Sequence, residues 1–462
     1  MTLGTAPTGA AVLAGILAPG DALEVSGEGR LAIAGHDAAG LLDRFGSPLS
    51  VIVADALRTN LRRIRAAFEP GWPAPVRVLY AIKANDTLAI RTLLSREGAG
   101  GDCFGLGELH ATMMSGADPA RVVMNGSNKD AAEIAAAVAA GVTINVDSTD
   151  EIAYLRACCA NGNRARVDLR LKVLPTDLDR HVEQARPTPG GYVEGVRRVK
   201  WGFTVPAAAD LLRELATIPG VDLAGYSCHI GHLSSRPKAF AAVANAIGQA
   251  VTALRDLTGF VPRTLDIGGG WPPDRDPSFR KPGLSASTIE QIATATTAAL
   301  RSALPAGMAV PELWIEPGRF LVSNAVVLLG RIGAVKRDAG LCWAHLDIST
   351  NNLPRIETGQ FHYTILPADR MHAPMDETVQ VVGSTCFRSL LGADSAMPEP
   401  RRGDTVAILD AGMYAEVFST QFNAVPRPAA MLLSTQGADI VRHRETIADV
   451  FRQHRVPAWL AG

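Results

Sequence analysis

The chain has 462 residues, of which 47% are hydrophobic and 20% are charged, a composition typical of a globular protein. Its 45 basic and 46 acidic side chains give a formal net charge of −1, which argues against broad binding to nucleic acid or to an anionic membrane surface. Six cysteines are too few for a disulfide framework in a chain of this length. No window has the roughly 18 uncharged apolar residues that a membrane span needs, so we expect a cytoplasmic protein.

Residues 1–46 predict a tail, one or two short strands and a short helix. The apolar run near the N-terminus has no basic residues before it, and Asp21 and Glu24 follow soon after it, so a secretory signal peptide is not indicated. Chain ends often pair, and we therefore expect this region to join a β domain formed by the C-terminal part of the chain.

Residues 47–320 alternate between short β-type runs and longer Ala/Leu/Arg-rich stretches with helical spacing. The β-type runs are LSVIVA, VRVLYAIKA, RVVMNG, VTINVDS, VDLRLKVLP, LAGYSCHIG, RTLDIGGG and LWIEPGR. Such alternation favours parallel strands with right-handed crossovers. Eight repeats over about 270 residues predict a (β/α)8 barrel, with an open doubly wound sheet as the alternative.

Residues 321–462 have a different texture, with strand-like runs separated by Gly, Pro, Asp and Asn and little room for helices. This pattern predicts a β domain, either a sandwich or a small barrel. The final stretch, 440–462, predicts a peripheral helix.

Polar or glycine-rich clusters end several of the barrel-like runs, where the catalytic residues of such barrels lie. Lys83 closes the first, in YAIKAN; a desolvated lysine can form a Schiff base, although a lone lysine at a strand end more often extends into solvent. Gly268, Gly269 and Gly270 follow another run, and their N–H groups can surround a phosphate, although tight turns use the same residues.

Glu316 begins the third cluster, EPGR, where a carboxylate can keep a pyridine nitrogen protonated or can instead form a surface ion pair with Arg319. His229 lies in the fourth, CHIGH. It can stack on an aromatic cofactor, while a buried hydrogen-bonded histidine, or a zinc site shared with His232, are the alternatives.

Two further clusters lie in the predicted β domain. Cys386, in GSTC, is a candidate proton donor or a buried thiol, and Tyr414, in DAGMY, is a candidate phosphate ligand or a packed aromatic residue. Taken together, the six clusters supply a Schiff-base lysine, a phosphate cradle, a carboxylate for a pyridine nitrogen and a stacking histidine. That set describes a pyridoxal phosphate site, and we expect no metal.

The same motifs make the chain resemble the fold-type III pyridoxal phosphate decarboxylases from about residue 22 to residue 433. That group includes diaminopimelate, ornithine and arginine decarboxylases, with alanine racemase as a more distant relative. The segments that carry the resemblance are YAIKAND, GAGGDCFGLGELHATMMSGA, HIGH, DIGGG, EPGR, GSTC and DAGMYAEVFSTQFNAVPRP.

The resemblance implies a role for each candidate residue. Lys83 would hold the cofactor covalently, His229 would stack on its ring, Glu316 would contact the pyridine nitrogen, and Cys386 would return a proton to the substrate. The remaining cofactor-binding residues that it implies are Asp102, His232, Gly268, Gly269, Gly270, Gly318, Arg319 and Tyr414. It also implies a head-to-tail homodimer with shared active sites, to which Cys386 and Tyr414 are donated across the interface.

The departures from the family pattern concern the substrate. In the diaminopimelate and ornithine enzymes an acidic residue follows the cysteine and recognises the distal amino group, whereas Phe387 stands here. A phenyl ring cannot pair with an ammonium, and an unpaired buried ammonium costs several kcal/mol, so a free basic amino acid is disfavoured. Arg355 lies in a segment like that of an arginine that binds a distal carboxylate. Together with Arg388 it suggests an anionic or amide-bearing distal group. An Arg388 that points to solvent is the alternative, and His232 is a further candidate to face the substrate.

We therefore expect decarboxylation at the α-carbon of a modified amino acid, tethered to citrate or to a carrier protein, or of one with an anionic distal group. The alternatives are diaminopimelate decarboxylase proper, an amino-acid racemase on the same site, or a non-catalytic pyridoxal phosphate carrier. The carrier proteins are usually a barrel alone, so the C-terminal domain argues against the last of these.

Overall fold

The computed structural model describes residues 6–176, 178–180, 191–229, 231, 233, 235–278, 283–359, 361–388 and 390–460. The chain divides into two compact units. The first comprises residues 1–57, 275–284 and 322–462, and the second comprises residues 58–274 and 285–321.

The N-terminal elements of the first unit include three strands that form a small sheet of their own. In chain order they are α1 (Gly9–Ile16), β1 (Leu23–Val25), β2 (Leu31–Ile33), β3 (His36–Asp37), α2 (Ala38–Phe45) and β4 (Leu49–Val53). Strands β1, β2 and β3 pair with one another in antiparallel fashion. Asp37 ends β3 and caps α2, because its side chain accepts a hydrogen bond from the Gly40 N–H.

Within the described residues, the second unit is built around a closed barrel of eight parallel strands. The strands are β5 (Val76–Ala81), β6 (Gly100–Phe104), β7 (Val122–Asn125), β8 (Thr143–Val146), β9 (Ala165–Leu171), β10 (Val221–Cys228), β11 (Thr264–Asp266) and β12 (Glu312–Ile315). Pairing of β12 with β5 closes the sheet, and this closure distinguishes the fold from an open doubly wound sheet. The predicted (β/α)8 barrel is confirmed.

Helices follow the barrel strands. They are α3 (Ala54–Phe68), which enters the unit, α4 (Leu88–Arg96), α5 (Leu106–Met114), α6 (Ala131–Ala140), α7 (Asp150–Ala160), α8 (Gly191–Arg198), α9 (Val205–Leu215), α10 (Pro237–Thr258), α11 (Ile289–Ala303) and α12 (Arg319–Val322). Local sequence sets their ends. Asp130 and Glu133 form a capping box at the start of α6, and Gly141 ends that helix in the left-handed conformation.

One of the eight predicted barrel strands was wrong. LSVIVA, which contains β4, lies in the sheet of the first unit, and GGDCF, which was not predicted as a strand, is β6. Glycine is poor in strands, but here it is required because a Cβ at Gly100 would lie 2.0 Å from the Arg121 carbonyl oxygen. The reassigned β4 places the boundary between the units at residues 57 and 58, rather than at 46 and 47 as we predicted from sequence.

In the part of the chain that the structure describes, the large sheet of the first unit has nine strands. Besides β4 they are β13 (Val326–Asp338), β14 (Leu341–Leu346), β15 (Ile365–Pro367), β16 (Glu377–Val382), β17 (Gly392–Met397), β18 (Thr405–Ile408), β19 (Ala429–Ser434) and β20 (Gly437–Arg442). Strand β4 lies between β13, to which it is antiparallel, and β19, to which it is parallel. The predicted β domain is confirmed, including a strand from the N-terminal part of the chain, although β1–β3 stay outside its sheet.

The C-terminal stretch contains β20 and a short exposed helix, α13 (Ile447–Phe451), so only part of the predicted helix forms. Among the described residues, no helix combines the length and apolarity needed to cross a membrane.

Candidate active site

The centre of the barrel mouth is an ion pair between Lys83 and Asp102. Lys83 lies in a short 3-10 turn, Ile82–Ala84, directly after β5, and its Nζ donates to Oδ2 of Asp102 on the neighbouring strand β6. The Asp102 side chain is fully buried, whereas the lysine side chain is 38% exposed. Burial alone would raise the pKa of Asp102, but the Lys83 ammonium and the hydrogen bonds from Lys83 and Asn125 lower that pKa below its ordinary value.

A buried amide connects this pair to the predicted carboxylate of EPGR. Asn125, the last residue of β7, donates from Nδ2 to Asp102 Oδ1 at 2.8 Å and to Glu316 Oε1 at 2.8 Å. Glu316 directly follows β12 and is 5% exposed. Burial, with the nearby negative charge of Asp102, raises the pKa of Glu316 to about 6. The carboxylate is thus ionised at neutral pH.

A second buried carboxyl group lies beside Glu316. Burial, followed by the charge of Glu316, raises the pKa of Asp266 well above its ordinary value. Asp266 therefore holds the proton of this close pair, while its Oδ1 accepts a 2.8 Å hydrogen bond from the Gly268 N–H.

The glycines after β11 form a turn that leaves no room for side chains. Gly268 and Gly270 have φ values of +74° and +96°. A Cβ at Gly268 would lie 2.7 Å from the Cys228 carbonyl oxygen, and one at Gly269 would lie 2.4 Å from the Glu316 carbonyl oxygen. These positions require glycine, and a turn without side chains lets an anion approach the backbone closely.

His229, which follows β10, adjoins this turn and is neutral. Burial lowers the pKa of its imidazole to about 3, and the positive charges of Lys83 and Arg170 act in the same direction. Its Nδ1 accepts a 3.3 Å hydrogen bond from the Gly269 N–H, which requires that nitrogen to be unprotonated. A neutral ring can lie against an aromatic cofactor without adding charge to the site.

Gly318 and Arg319 continue the chain after Glu316. A Cβ at Gly318 would lie 2.8 Å from the Ala84 Cβ, so glycine lets this segment pass against the turn that carries Lys83. Arg319 begins α12, and its charge is one of those that keep His229 neutral.

The residues of the barrel mouth fit pyridoxal phosphate by the chemistry of their donor set. A lysine amine accessible from solvent, a buried ionised carboxylate and a glycine turn are the groups that a pyridine aldehyde phosphate needs. The glycine turn is also a cradle that any Cβ would fill. Lys83, Glu316 and the turn Gly268–Gly270 are the residues that would hold the cofactor.

The first unit carries the remaining candidate residues. Cys386 is exposed, and its backbone N–H donates to Asn423 Oδ1 at 3.1 Å. The next residue, Phe387, packs on Phe422 with 4.4 Å between ring centroids, and the two residues are 43% and 39% exposed. The Asn351 side chain donates to the Phe422 carbonyl oxygen at 2.8 Å, and so connects this aromatic pair to the segment that contains Arg355.

Arg355 and Tyr414 lie together in the same unit. The guanidinium carbon of Arg355 is 5.3, 5.9 and 5.5 Å from the ring centroids of Phe361, Tyr414 and Phe418. Such cation–aromatic contacts help to hold a charged side chain in one place. Tyr414 has a φ of +54°, and the preceding turn needs Gly412, where a Cβ would lie 1.7 Å from the Val322 carbonyl oxygen.

The structure thus brings Lys83, Asp102, His229, the glycine turn and Glu316 together. It places the candidates Cys386, Phe387, Arg355 and Tyr414 in the other unit. Arg388 is exposed, and His232 lies outside the described residues. The sequence motifs assigned no role to Asn125 or Asn145. The available signal was the same in both cases, a polar residue within the last two positions of a fully buried run.

Comparison with known proteins gives a consistent result. The family model described as "Pyridoxal-dependent decarboxylase, pyridoxal binding domain" matches residues 54–323. The diaminopimelate decarboxylase of Methanothermobacter thermautotrophicus is 32% identical over 95% of this chain and 98% of its own length. That of Archaeoglobus fulgidus is 30% identical over 94% of this chain and 99% of its own.

Solved structures agree in fold. The crystal structure of diaminopimelate decarboxylase from M. jannaschii in complex with L-lysine has a TM-score of 0.86 and 27% sequence identity, and covers 96% of this chain and 100% of that one. With a family model that spans more than half of its length and relatives that match nearly all of it, the chain belongs to the pyridoxal-dependent decarboxylases and is a pyridoxal phosphate-dependent amino-acid decarboxylase.

Proposed function

We propose that this decarboxylase acts on diaminopimelate, an amino acid whose distal end carries both a carboxylate and an ammonium. The observation that carries the proposal is the match over nearly the full chain to two relatives named diaminopimelate decarboxylase. Arg355 supports it, because a guanidinium held in place among three aromatic rings is the group that binds a carboxylate.

We assign roles to the barrel residues from their contacts. Bound pyridoxal phosphate supplies an electron-withdrawing ring that accepts the electron pair released when carbon dioxide leaves the α-carbon. Lys83 would hold the cofactor, and the ionised Glu316 would keep a proton at the pyridine nitrogen. The neutral His229 would lie against the ring, and the glycine turn would receive the phosphate. Arg319 and Tyr414 would contribute to phosphate binding.

After carbon dioxide has left, the α-carbon needs a proton, and an acid must supply it. We assign it to the Cys386 thiol, which gives its proton to the α-carbon. The family resemblance further supports a homodimer with shared active sites, in which Cys386 and Tyr414 serve the partner subunit. Sedimentation of the purified protein as a monomer at working concentration would contradict this arrangement.

The pair Phe387 and Phe422 favours a second candidate substrate. These two exposed rings, of which Phe387 directly follows Cys386 in the sequence, pack at a tilt and offer no charge to a distal ammonium. An amino acid whose distal nitrogen is acylated, and hence neutral, suits such a surface better. The comparisons lend no support to a citrate- or carrier-tethered form, because the relatives are named for a free amino acid, so a small acylated substrate is the simpler version.

The proposal is tested by incubating the purified enzyme, with pyridoxal phosphate, with meso-diaminopimelate, N-acyl-diaminopimelate, lysine and ornithine in turn. Carbon dioxide release and the product mass are measured. We expect diaminopimelate to yield lysine, with little release from lysine or ornithine. Loss of the optical rotation of lysine or ornithine, or conversion of meso-diaminopimelate to its other stereoisomers, without carbon dioxide release would indicate a racemase instead. Turnover of the acylated compound alone would select the second candidate.

A further inference from the structure

Asn125 lies between two buried carboxylates that the proposed mechanism needs in different roles. Asp102 pairs with the lysine, and Glu316 serves the pyridine nitrogen. Each accepts a 2.8 Å hydrogen bond from the same amide nitrogen. The three residues Asp102, Asn125 and Glu316 are 0%, 4% and 5% exposed, so water does not screen the two like charges from one another.

The orientation of this amide is fixed from the other end. Asn145, on β8, donates from Nδ2 to Asn125 Oδ1 at 2.9 Å. Because Oδ1 is occupied as an acceptor, the nitrogen must face the carboxylates, and both of its N–H groups are used as donors. Lys129 donates to the Asn145 carbonyl oxygen at 2.9 Å and pairs with Glu151 at 3.0 Å, all within the buried interior.

Other charged and titratable groups surround Glu316, and any effect of Asn125 is superimposed on theirs. They are Asp102 on β6, Lys83 after β5, Arg170 on β9, Cys228 on β10 and Asp266 on β11. Two of them are negative or proton-bearing carboxyl groups. A donor shared between Glu316 and Asp102 offsets the repulsion that would otherwise favour protonation of one of them.

We propose that Asn125 is a positioning residue that keeps Glu316 ionised beside Asp102, and thereby sets the acid limit of the pH range in which the barrel binds pyridoxal phosphate. The inference rests on the proposed roles of Lys83 and Glu316. Replacing the amide removes one hydrogen bond to the Glu316 carboxylate, which then takes up a proton at higher pH. A protonated Glu316 can no longer accept a hydrogen bond from a protonated pyridine nitrogen.

The test measures the affinity of apoenzyme for pyridoxal phosphate against pH, from the absorbance of the bound cofactor, together with the melting temperature of the apoenzyme. We call the acid limb the pH range in which the affinity for pyridoxal phosphate falls as the pH is lowered. In Asn125→Ala we expect this acid limb to move upward by about one pH unit, so that affinity at a pH below it falls about tenfold. Asn125→Asp keeps the shape of the side chain and adds a third carboxyl group, so its limb should move further. In Glu316→Gln the limb should disappear.

Asn60→Ala is the matched control, because Asn60 is another buried asparagine of the same unit, whose amide donates to the Leu321 carbonyl oxygen at 3.0 Å. It should lower the melting temperature without moving the limb. Asn145→Ala removes the hydrogen bond that orients the Asn125 amide, and should move the acid limb upward by a smaller amount. If the Asn125 variants do not fold, this variant tests the inference in their place.

A wild-type limb in a folded Asn125→Asp variant, or in Asn145→Ala when the Asn125 variants do not fold, overturns the inference. Failure of the proposed function looks different. In that case the wild-type enzyme does not release carbon dioxide from diaminopimelate, or the Lys83→Ala variant binds the cofactor with unchanged absorbance. Either result is independent of the pH dependence of cofactor binding.

Discussion

The barrel mouth and the Cys386 segment contribute to the same proposed chemistry by opposite means. In the barrel mouth, Asp102 and Glu316 are buried and joined through one amide. In the first unit, Cys386 and Phe387 are exposed, held by one backbone hydrogen bond to Asn423 and one ring contact. A buried network fails as a whole when one member is lost, whereas an exposed segment can change residue by residue. The proposed function thus assigns cofactor chemistry to the buried region and substrate choice to the exposed one.

Lys83→Ala should have the largest effect of any single change. Without the amine, the covalent link to the cofactor cannot form and the buried Asp102 loses its cation. We expect turnover to fall by about 10⁴-fold or more and the visible absorbance of the bound cofactor to be lost. Spectroscopy and carbon dioxide release both check this. Appreciable turnover in the variant would break the assignment of the barrel mouth as the cofactor site.

Cys386→Ala should slow turnover by about 100-fold and leave the affinity for pyridoxal phosphate unchanged, since the thiol is proposed only as a proton donor. Steady-state kinetics and cofactor titration measure the two quantities separately. Cys158→Ala, on α7, is the matched control and should leave both at wild-type values. If Cys386→Ala instead loses the cofactor, the division of labour between the two regions is wrong.

Phe387→Glu tests whether the exposed segment selects the substrate. A carboxylate beside Cys386 should raise kcat/KM for diaminopimelate by about tenfold, through a lower KM, because it pairs with the distal ammonium. Phe387→Leu, which stays apolar, should show no such gain. Equal effects of the two variants would mean that the ring acts by shape alone.

The smallest effect concerns His229 and the acid stability of the apoenzyme. Its pKa is lowered to about 3 in the folded state, so between about pH 6.5 and pH 3 only the unfolded chain takes up the proton, and stability falls as pH falls. His229→Gln should remove this dependence. Denaturant unfolding between pH 4 and pH 6 should show about one proton fewer taken up on unfolding than in the wild type. If the free energy of unfolding of His229→Gln varies with pH as steeply as that of the wild type, the imidazole is not held neutral in the folded protein.

Sequence reasoning identified the ends of the barrel strands better than the strands themselves. Lys83, the glycine run and Glu316 each follow an apolar run directly, so their shared position at one end of a barrel could be predicted from strand polarity alone. GGDCF was missed because glycine and aspartate are poor strand formers. Gly100 is required by the close approach of the Arg121 carbonyl oxygen, which a linear pattern does not show.

The hydrogen bonds from Asn125 to Asp102 and Glu316 could not be predicted for a related reason. Asn125 and Glu316 are 191 residues apart and meet only because β12 closes onto β5 next to β6 and β7. Local patterns report burial and polarity. They do not show which polar side chains at one end of the barrel form hydrogen bonds with one another, because that depends on strand register and barrel closure.

The position of β4 has a consequence for the order in which the chain can fold. This strand leaves the ribosome early, yet its neighbours β13 and β19 begin at residues 326 and 429. Throughout synthesis of the barrel, β4 has two edges with unpaired backbone groups, and such edges promote aggregation. The first unit can be completed only at the end of translation, when both neighbours have emerged, whereas all of the barrel strands are available about a hundred residues earlier.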